Sequence, residues 1–141
     1  SLGISVKGIE AEDIQLISKF RESVEYCYPA PLLVELVAKA AREASKRELK
    51  SLPEEAVEGL KALLAGLGVA VELPEPNGLV LAAELWIKGH RDIMDNMAYA
   101  HAVKTQAYFM TLDEAFGRFL SEKGYASDVL ITHRNLKTVA R

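Results

Sequence analysis

The sequence has a single cysteine, few aromatic residues and no long apolar run. Because Cys27 is alone among 141 residues, no disulfide can form within the chain and no cage of several thiolates can hold a metal. No stretch approaches the roughly 18 uninterrupted apolar residues that a membrane helix needs. Glu10, Glu12 and Asp13 stand where a signal peptide would be apolar. These absences predict a soluble, cytoplasmic protein that does not engage a membrane.

A strong excess of charge of either sign is also missing. Lysine and arginine number 17 against 20 aspartates and glutamates, which gives a formal net charge of −3. This balance excludes a nucleic-acid-binding field over the whole surface but allows a local basic strip. Half of the residues are hydrophobic and only 7% are aromatic, so the core must be largely aliphatic. The length fits a single domain over residues 1–141.

Apolar runs typical of strands alternate along the chain with amphipathic segments typical of helices. Connections of the observed length suit right-handed crossovers between parallel strands. We therefore predict an α/β fold, a three-layer α/β/α sandwich in which a parallel central sheet lies between two layers of helices. The pattern predicts helices over residues 10–22, 32–50, 51–66, 79–88, 92–103 and 114–122, and strands over 24–28, 69–73, 107–111 and 128–132.

A few residues predict where helices begin and how they pack. Ser51 and Glu54 have the spacing of a capping box, which predicts the start of a helix at Ser51. Asp92 can cap the helix that follows it. The helix over residues 79–88 is apolar nearly all round, which predicts burial between neighbours with Trp86 in the core.

Three acidic residues fall where parallel α/β proteins bind their ligands, at the edge where strands end and helices begin. Glu35 and Asp95 lie in the first turns of two predicted helices, and Asp113 directly follows a predicted strand. A single acid at a helix start is usually a cap or a partner of the helix dipole, an interaction of about 0.3–1 kcal/mol. Three acids that converge repel one another unless a cation or a proton lies among them.

A cluster of this kind predicts a site for a hard divalent cation. Ligation by oxygen alone favours Mg²⁺ or Mn²⁺. One ion with an activated water, or a pair of ions, can hold a scissile phosphate, because the metal lowers the pKa of the attacking water and neutralises charge on the leaving oxygen. The sequence therefore indicates hydrolysis of a phosphate ester.

The residues around these acids resemble the second half of a PIN domain nuclease. Asp95 opens a helix of small residues, a short apolar strand follows, and then comes the segment Thr111-Leu-Asp113-Glu-Ala-Phe116. The segment Pro31-Leu-Leu-Val-Glu35-Leu is similar to the family as well. The likeness covers most of the chain, and its pieces are fairly specific as a set.

The resemblance implies a PIN-like fold and activity as an Mg²⁺- or Mn²⁺-dependent endoribonuclease. It assigns Glu35, Asp95 and Asp113 to the metal site as catalytic residues, with no covalent enzyme intermediate, and it makes Thr111 a supporting hydroxyl. It also implies RNA as the substrate and a homodimer that aligns two sites. Some members of the family are toxins, for which a small antitoxin-like protein is the partner, and others process RNA.

One part of the family pattern has no counterpart in the sequence. PIN domains begin with a central strand that carries a further Asp followed by a small hydroxyl residue, and nothing before Glu10 provides it. Asp13 falls inside a predicted helix and is no substitute. We therefore expect that first strand and its Asp to lie upstream of Ser1. The gap favours an alternative function, a non-catalytic PIN-like module that binds RNA or a protein.

Other functions have weaker support. The three histidines lack short metal-binding spacing, so zinc is not indicated, and no nucleophile elbow or phosphate-cradling glycine loop is present. Cys27 is expected to be a buried, inert thiol. A metal-dependent phosphatase acting on a small molecule stays open as a third interpretation. Contacts to RNA phosphates require cations, for which the candidates are Lys88, Arg91, Arg134, Lys137 and Arg141.

Overall fold

A parallel sheet organises the part of the chain that the structure describes. The computed structural model describes residues 2–4, 25–66 and 69–135. The strands are β1 (Leu2–Ile4), β2 (Tyr26–Pro29), β3 (Ala70–Glu72), β4 (Tyr108–Met110) and β5 (Leu130–Ile131). They lie in the order β3-β2-β1-β4-β5, and all neighbouring strands are parallel, so the predicted parallel sheet is confirmed.

Helices connect the strands and cover the sheet. The helices are α1 (Leu32–Lys46), α2 (Glu54–Leu64), α3 (Pro76–Ile87), α4 (Ile93–Thr105) and α5 (Glu114–Glu122), and a short 3-10 helix covers His133–Asn135. The chain crosses the sheet from β2 to β3 in one direction and from β3 to β4 and β5 in the other. Because crossovers between parallel strands are right-handed, α1 and α2 lie on one face, and α3, α4 and α5 lie on the opposite face. The predicted helix over residues 10–22 and the tail residues Lys137 and Arg141 lie outside the described residues.

The central position of the sheet belongs to β1, which pairs with β2 on one side and β4 on the other. We expected this position to be filled from upstream of Ser1, but the residues Leu2–Ile4 fill it. The strand is hard to recognise in the sequence because it has three residues and contains Gly3, which weakens a strand pattern. The first acidic residue of the sequence is Glu10, so β1 itself carries no carboxylate.

The sequence prediction for the start of α2 was wrong. The helix α2 begins at Glu54 with Pro53 at the N-cap and no side-chain cap, so Ser51 does not form the predicted capping box. Proline fits here because its fixed backbone angle leads into a helix and its missing N–H would have no intrahelical acceptor. The end of α2 is as expected, because Gly66 adopts φ +74°, a left-handed conformation that glycine adopts without strain.

The helix α3 is buried along one stripe only. Gly78, Ala82 and Leu85 are buried at helical spacing against α4, which leaves the other side of α3 outside the core. Trp86 is 38% exposed, so the prediction that it lies in the core was wrong. Among the helices that the structure describes, none has the length and apolar character required to cross a membrane.

The core lies between the sheet and the helix pair α4 and α5. Leu85, Phe109, Phe116 and Leu120 are fully buried, and Tyr99 of α4 packs with its ring edge towards Phe116, with ring centroids 5.6 Å apart. The Tyr99 hydroxyl donates a hydrogen bond of 2.7 Å to the carbonyl of Ala126. This packing fixes the position of α4, and α4 carries the acidic residues described below.

Tyr99 provides a prediction for alkaline pH. Burial, with smaller contributions from Asp128 and Tyr125, raises the pKa of Tyr99 from 10.0 to about 12. Above pH 10 the unfolded chain loses this proton while the folded protein keeps it, so the free energy of unfolding falls as the pH rises towards 12. Urea unfolding of the protein and of Tyr99→Phe at a series of pH values measures this, and Tyr99→Phe should show the shallower decline. Equal slopes would contradict the assignment.

Candidate metal centre

The helix α4 begins with two acidic residues that have different roles. Asp92 is the N-cap, and its carboxylate accepts a hydrogen bond of 3.1 Å from the backbone N–H of Asp95, as the sequence predicted. Asp95 itself lies in the first turn and is only 9% exposed. Its carboxylate therefore lies beside the positive end of the helix dipole.

Asp113 lies at the start of α5 and caps it. One carboxylate oxygen accepts a hydrogen bond of 3.2 Å from the N–H of Phe116. The N–H of Asp113 donates in turn to the hydroxyl oxygen of Thr111, at 3.1 Å. Thr111 therefore holds the turn that carries Asp113.

The turn between α3 and α4 brings His90 close to these acids. Gly89, at φ +121°, ends α3, and the N–H of His90 donates back to the carbonyl of Leu85 at 3.0 Å. This bonding is a Schellman helix end, which only a residue tolerant of positive φ forms easily. The imidazole then stacks on the ring of Phe116, with centroids 4.2 Å apart. His90 is thereby fixed between α3 and the start of α5.

The three side chains form one compact cluster. Possible ligand atoms of His90, Asp95 and Asp113 all lie within 4.8 Å of one another. The structure therefore brings together two of the three acids selected from the sequence. His90 was not predicted as a ligand, because the three histidines lack the short spacing of a metal-binding motif. The sequence feature that could have indicated His90 is Gly89. A glycine at this point marks the end of a helix, and the geometry of that end fixes where the next side chain lies.

Asn96 determines which nitrogen of His90 can serve as a ligand. The amide of Asn96 is fully buried and donates to the carbonyls of His90 and Ala82, at 2.9 and 3.3 Å. Both N–H groups are then used, so the amide oxygen must accept from Nδ1–H of His90, which lies 2.7 Å away. This tautomer leaves the lone pair of Nε2 available in the neutral imidazole.

The donor set of this cluster fits a divalent cation. Two carboxylates this close repel each other unless a cation or a proton lies between them. Two oxygens and one imidazole nitrogen suit a first-row ion such as Mn²⁺ better than Mg²⁺, which prefers oxygen alone. The bond from Asn96 to the far nitrogen of His90 is the kind of contact that orients imidazole ligands of metals.

Glu35 lies near this cluster but does not belong to it. It is in the first turn of α1, and its carboxylate accepts from Arg42 at 3.4 Å. The sequence prediction put all three acids at one edge of the sheet because of their positions at helix starts. It did not take into account that Arg42 follows Glu35 on the same helix. Its assignment as a metal ligand stays a prediction.

A cleft of about 340 Å³ connects Glu35 with the start of α4. Glu35 and Lys39 of α1 line one side, and Asp95 lines the other. Trp86 and Arg91 also line the cleft, with the guanidinium 5.4 Å from the centre of the indole ring. Acidic, basic and aromatic side chains therefore meet in one concave surface beside the cluster.

The fold and the cluster define an α/β protein with an acidic site beside the N-terminal ends of two helices. A family model of the PIN domain matches residues 9–119, which is well over half of the chain. The chain therefore belongs to the PIN domain family, whose members are in general nucleases. Comparison with curated proteins finds no match, and neither does comparison with solved structures.

Replacing Asn96 by Ala tests the contact that orients His90. The change removes the hydrogen-bond partner of Nδ1–H of His90 and of the His90 carbonyl, so the free energy of unfolding should fall by about 1–3 kcal/mol. The affinity for Mn²⁺ should fall roughly 10–100-fold, as is usual when the outer partner of a metal ligand is removed. Urea unfolding and calorimetric titration measure the two effects.

Asn77→Ala is the matched control for this change, because Asn77 is exposed on α3. It should alter the free energy of unfolding by no more than about 0.5 kcal/mol and leave the metal affinity unchanged. An Asn96→Ala protein that binds Mn²⁺ as tightly as the parent would show that the orientation of His90 has no part in metal binding.

Proposed function

We propose that this protein is a metal-dependent endoribonuclease that hydrolyses phosphodiester bonds of single-stranded RNA. The observation that carries the proposal is the cluster of His90, Asp95 and Asp113 within 4.8 Å beside a cleft with basic and aromatic walls. Membership in a family of nucleases supports the class of reaction. The mixed donor set supports Mn²⁺, with Mg²⁺ as the other candidate.

Asp95, Asp113 and His90 would hold the cation, and Glu35 would complete the site from the opposite wall of the cleft. When bound, a divalent cation supplies Lewis-acid stabilisation of the charge that develops on the phosphate. The Asp113 carboxylate keeps its orientation because it accepts a hydrogen bond from the N–H of Phe116, and the backbone N–H of Asp113 donates to the hydroxyl of Thr111. A preorganised arrangement of this kind needs little reorganisation when the reaction occurs.

The cleft supports single-stranded RNA as the substrate. Exposed aromatic faces and neighbouring cations are the features on which proteins stack bases and hold the backbone of single strands. Trp86 and Arg91 provide such a pair, and Lys39 adds a cation on the opposite side. Lys88, in contrast, donates to the hydroxyl of Tyr125 at 2.6 Å and is already engaged.

The alternative function, a non-catalytic PIN-like module, has one specific observation in its favour. The central strand β1 carries no acidic residue, whereas the family pattern has an Asp there. The module would keep the cleft and bind RNA or a protein without cleaving it. Binding without hydrolysis in the presence of Mn²⁺ distinguishes this function from the nuclease.

We also propose that a second copy of the chain or a small antitoxin-like protein covers the apolar side of α3. Leu79, Val80 and Ile87 are exposed along this helix. Contiguous apolar side chains of this kind are typical of interaction surfaces. A role as a toxin or in RNA processing would then depend on the partner.

Replacing Asp113 by Asn tests the catalytic assignment. The change removes one negative charge from the cluster but keeps the shape of the side chain, so cleavage of single-stranded RNA should slow by more than about 100-fold. Glu114→Gln is the matched control, because it removes the same charge one residue away on the exposed side of α5. Gel analysis of a labelled oligonucleotide with Mn²⁺ measures both rates, and equal slowing of the two variants would contradict the assignment.

Trp86 allows RNA binding to be measured without catalysis, because it is the only tryptophan in the sequence. With the metal removed by a chelator, a single-stranded oligonucleotide should quench its fluorescence, whereas a duplex should not. Arg91→Ala should weaken binding about 5-fold or more, as expected for the loss of one stacking contact of about 1–3 kcal/mol. Arg118→Ala, an exposed arginine of α5, is the control. Equal effects of the two variants would place RNA elsewhere.

A further inference from the structure

A second group of side chains with metal-binding atoms lies between β2, β3 and α4. Its members are Cys27 of β2, Glu72 of β3 and His101 of α4, and their possible ligand atoms all lie within 4.8 Å of one another. It shares no residue with the cluster of His90, Asp95 and Asp113. The nuclease proposal makes no use of it.

The register of the sheet explains why Cys27 and Glu72 meet. Cys27 pairs with Ala70, and Pro29 pairs with Glu72, so Glu72 lies two residues further along the neighbouring strand. Side chains two residues apart project from the same face of a sheet, which puts the thiol and the carboxylate on one face. Helix α4 covers that face and contributes His101, which is 3% exposed.

The three groups interact closely with one another. Nε2 of His101 lies 2.9 Å from a carboxylate oxygen of Glu72, and the thiol of Cys27 also bonds to Glu72. These hydrogen bonds, that of His101 first, hold the pKa of Glu72 below its usual value, so Glu72 is a carboxylate at neutral pH. Within the described residues Nδ1 of His101 is buried and has no hydrogen-bond partner. Among the residues that the structure describes, the imidazole therefore bonds through Nε2 only.

We propose that Cys27, Glu72 and His101 form a site for a zinc-type divalent cation. Sulfur, imidazole nitrogen and carboxylate oxygen are the three ligand types that Zn²⁺ takes in proteins. Thiolate ligands disfavour Mg²⁺ and Mn²⁺, so the site selects a different metal from the oxygen-rich cluster. The Glu72 side chain is 40% exposed, so this ligand is open to solvent, and a water is the usual ligand at a fourth position that the protein does not fill.

Binding at this site has two physical consequences. The cation displaces one proton from the Cys27 thiol, which becomes a thiolate ligand, so binding releases a proton and strengthens as the pH rises. The ion also links the edge strand β3 and its neighbour β2 to α4. Because these elements come together only in the folded chain, the melting temperature should rise with the concentration of Zn²⁺.

Titration of the full chain with Co²⁺, followed by absorption spectroscopy, tests the proposal. Co²⁺ takes the place of Zn²⁺ and gives a thiolate-to-cobalt charge-transfer band in the near ultraviolet, which identifies Cys27 as a ligand because the chain has no other cysteine. We expect one equivalent of Co²⁺ to produce the band and Zn²⁺ to remove it by displacement. Absence of this band in the parent protein would overturn the proposal.

Variants separate this site from the candidate nuclease site. Cys27→Ser should abolish the band, whereas Asp95→Asn should leave it unchanged and lower only the affinity for Mn²⁺. Glu72→Gln changes a half-exposed side chain, so we expect it to fold even if Cys27→Ser does not. It should raise the Kd for Co²⁺ at least about tenfold, and the charge-transfer band should remain because Cys27 is still present. An unchanged Kd in Glu72→Gln, or loss of the band in Asp95→Asn, would contradict the site.

Discussion

The candidate site depends on two carboxylates that the N-terminal ends of two helices hold close together. Asp95 lies in the capped first turn of α4, and Asp113 is itself the cap of α5. Helix N-termini have unpaired N–H groups that need acceptors, so the bonds that stabilise the helices also concentrate negative charge. His90 adds an imidazole nitrogen at the same place, so a cation bound there would have three ligands from the protein.

The two clusters found among the described residues differ in the atoms that they offer to a metal. The set of His90, Asp95 and Asp113 is rich in oxygen, opens beside a cleft and suits hydrolysis of a phosphate ester. The set that contains Cys27 lies between the sheet and α4 and suits a metal that stabilises the fold. Both clusters involve α4, so the packing of Tyr99 against Phe116 is important for each.

The order of strands and helices was largely predictable from the sequence, because hydrophobic periodicity reports which face of an element is buried. The bounds of α5 agree fully with the pattern, and Asp92 caps α4 as its position suggested. The exposure of Trp86 was not predictable, because an apolar helix does not show how many neighbours cover it. β1 was missed because three residues with a central glycine give almost no periodic signal.

The candidate site was predictable only in part, because sequence positions do not report competing partners. Asp95 and Asp113 meet as their positions at helix starts suggested, but Arg42 pairs with Glu35 from further along the same helix. His90 enters the cluster through a helix end whose geometry depends on Gly89. Cys27 and its partners are far apart in the sequence, and only the strand register brings them together.

Anomalous diffraction from a crystal of the protein soaked in Mn²⁺ locates a bound ion and its ligands. We expect a manganese peak about 2.0–2.3 Å from carboxylate oxygens of Asp95 and Asp113 and from Nε2 of His90. A peak bound only to other residues, or its absence with the two carboxylates still adjacent, would show that the cluster is not a metal site.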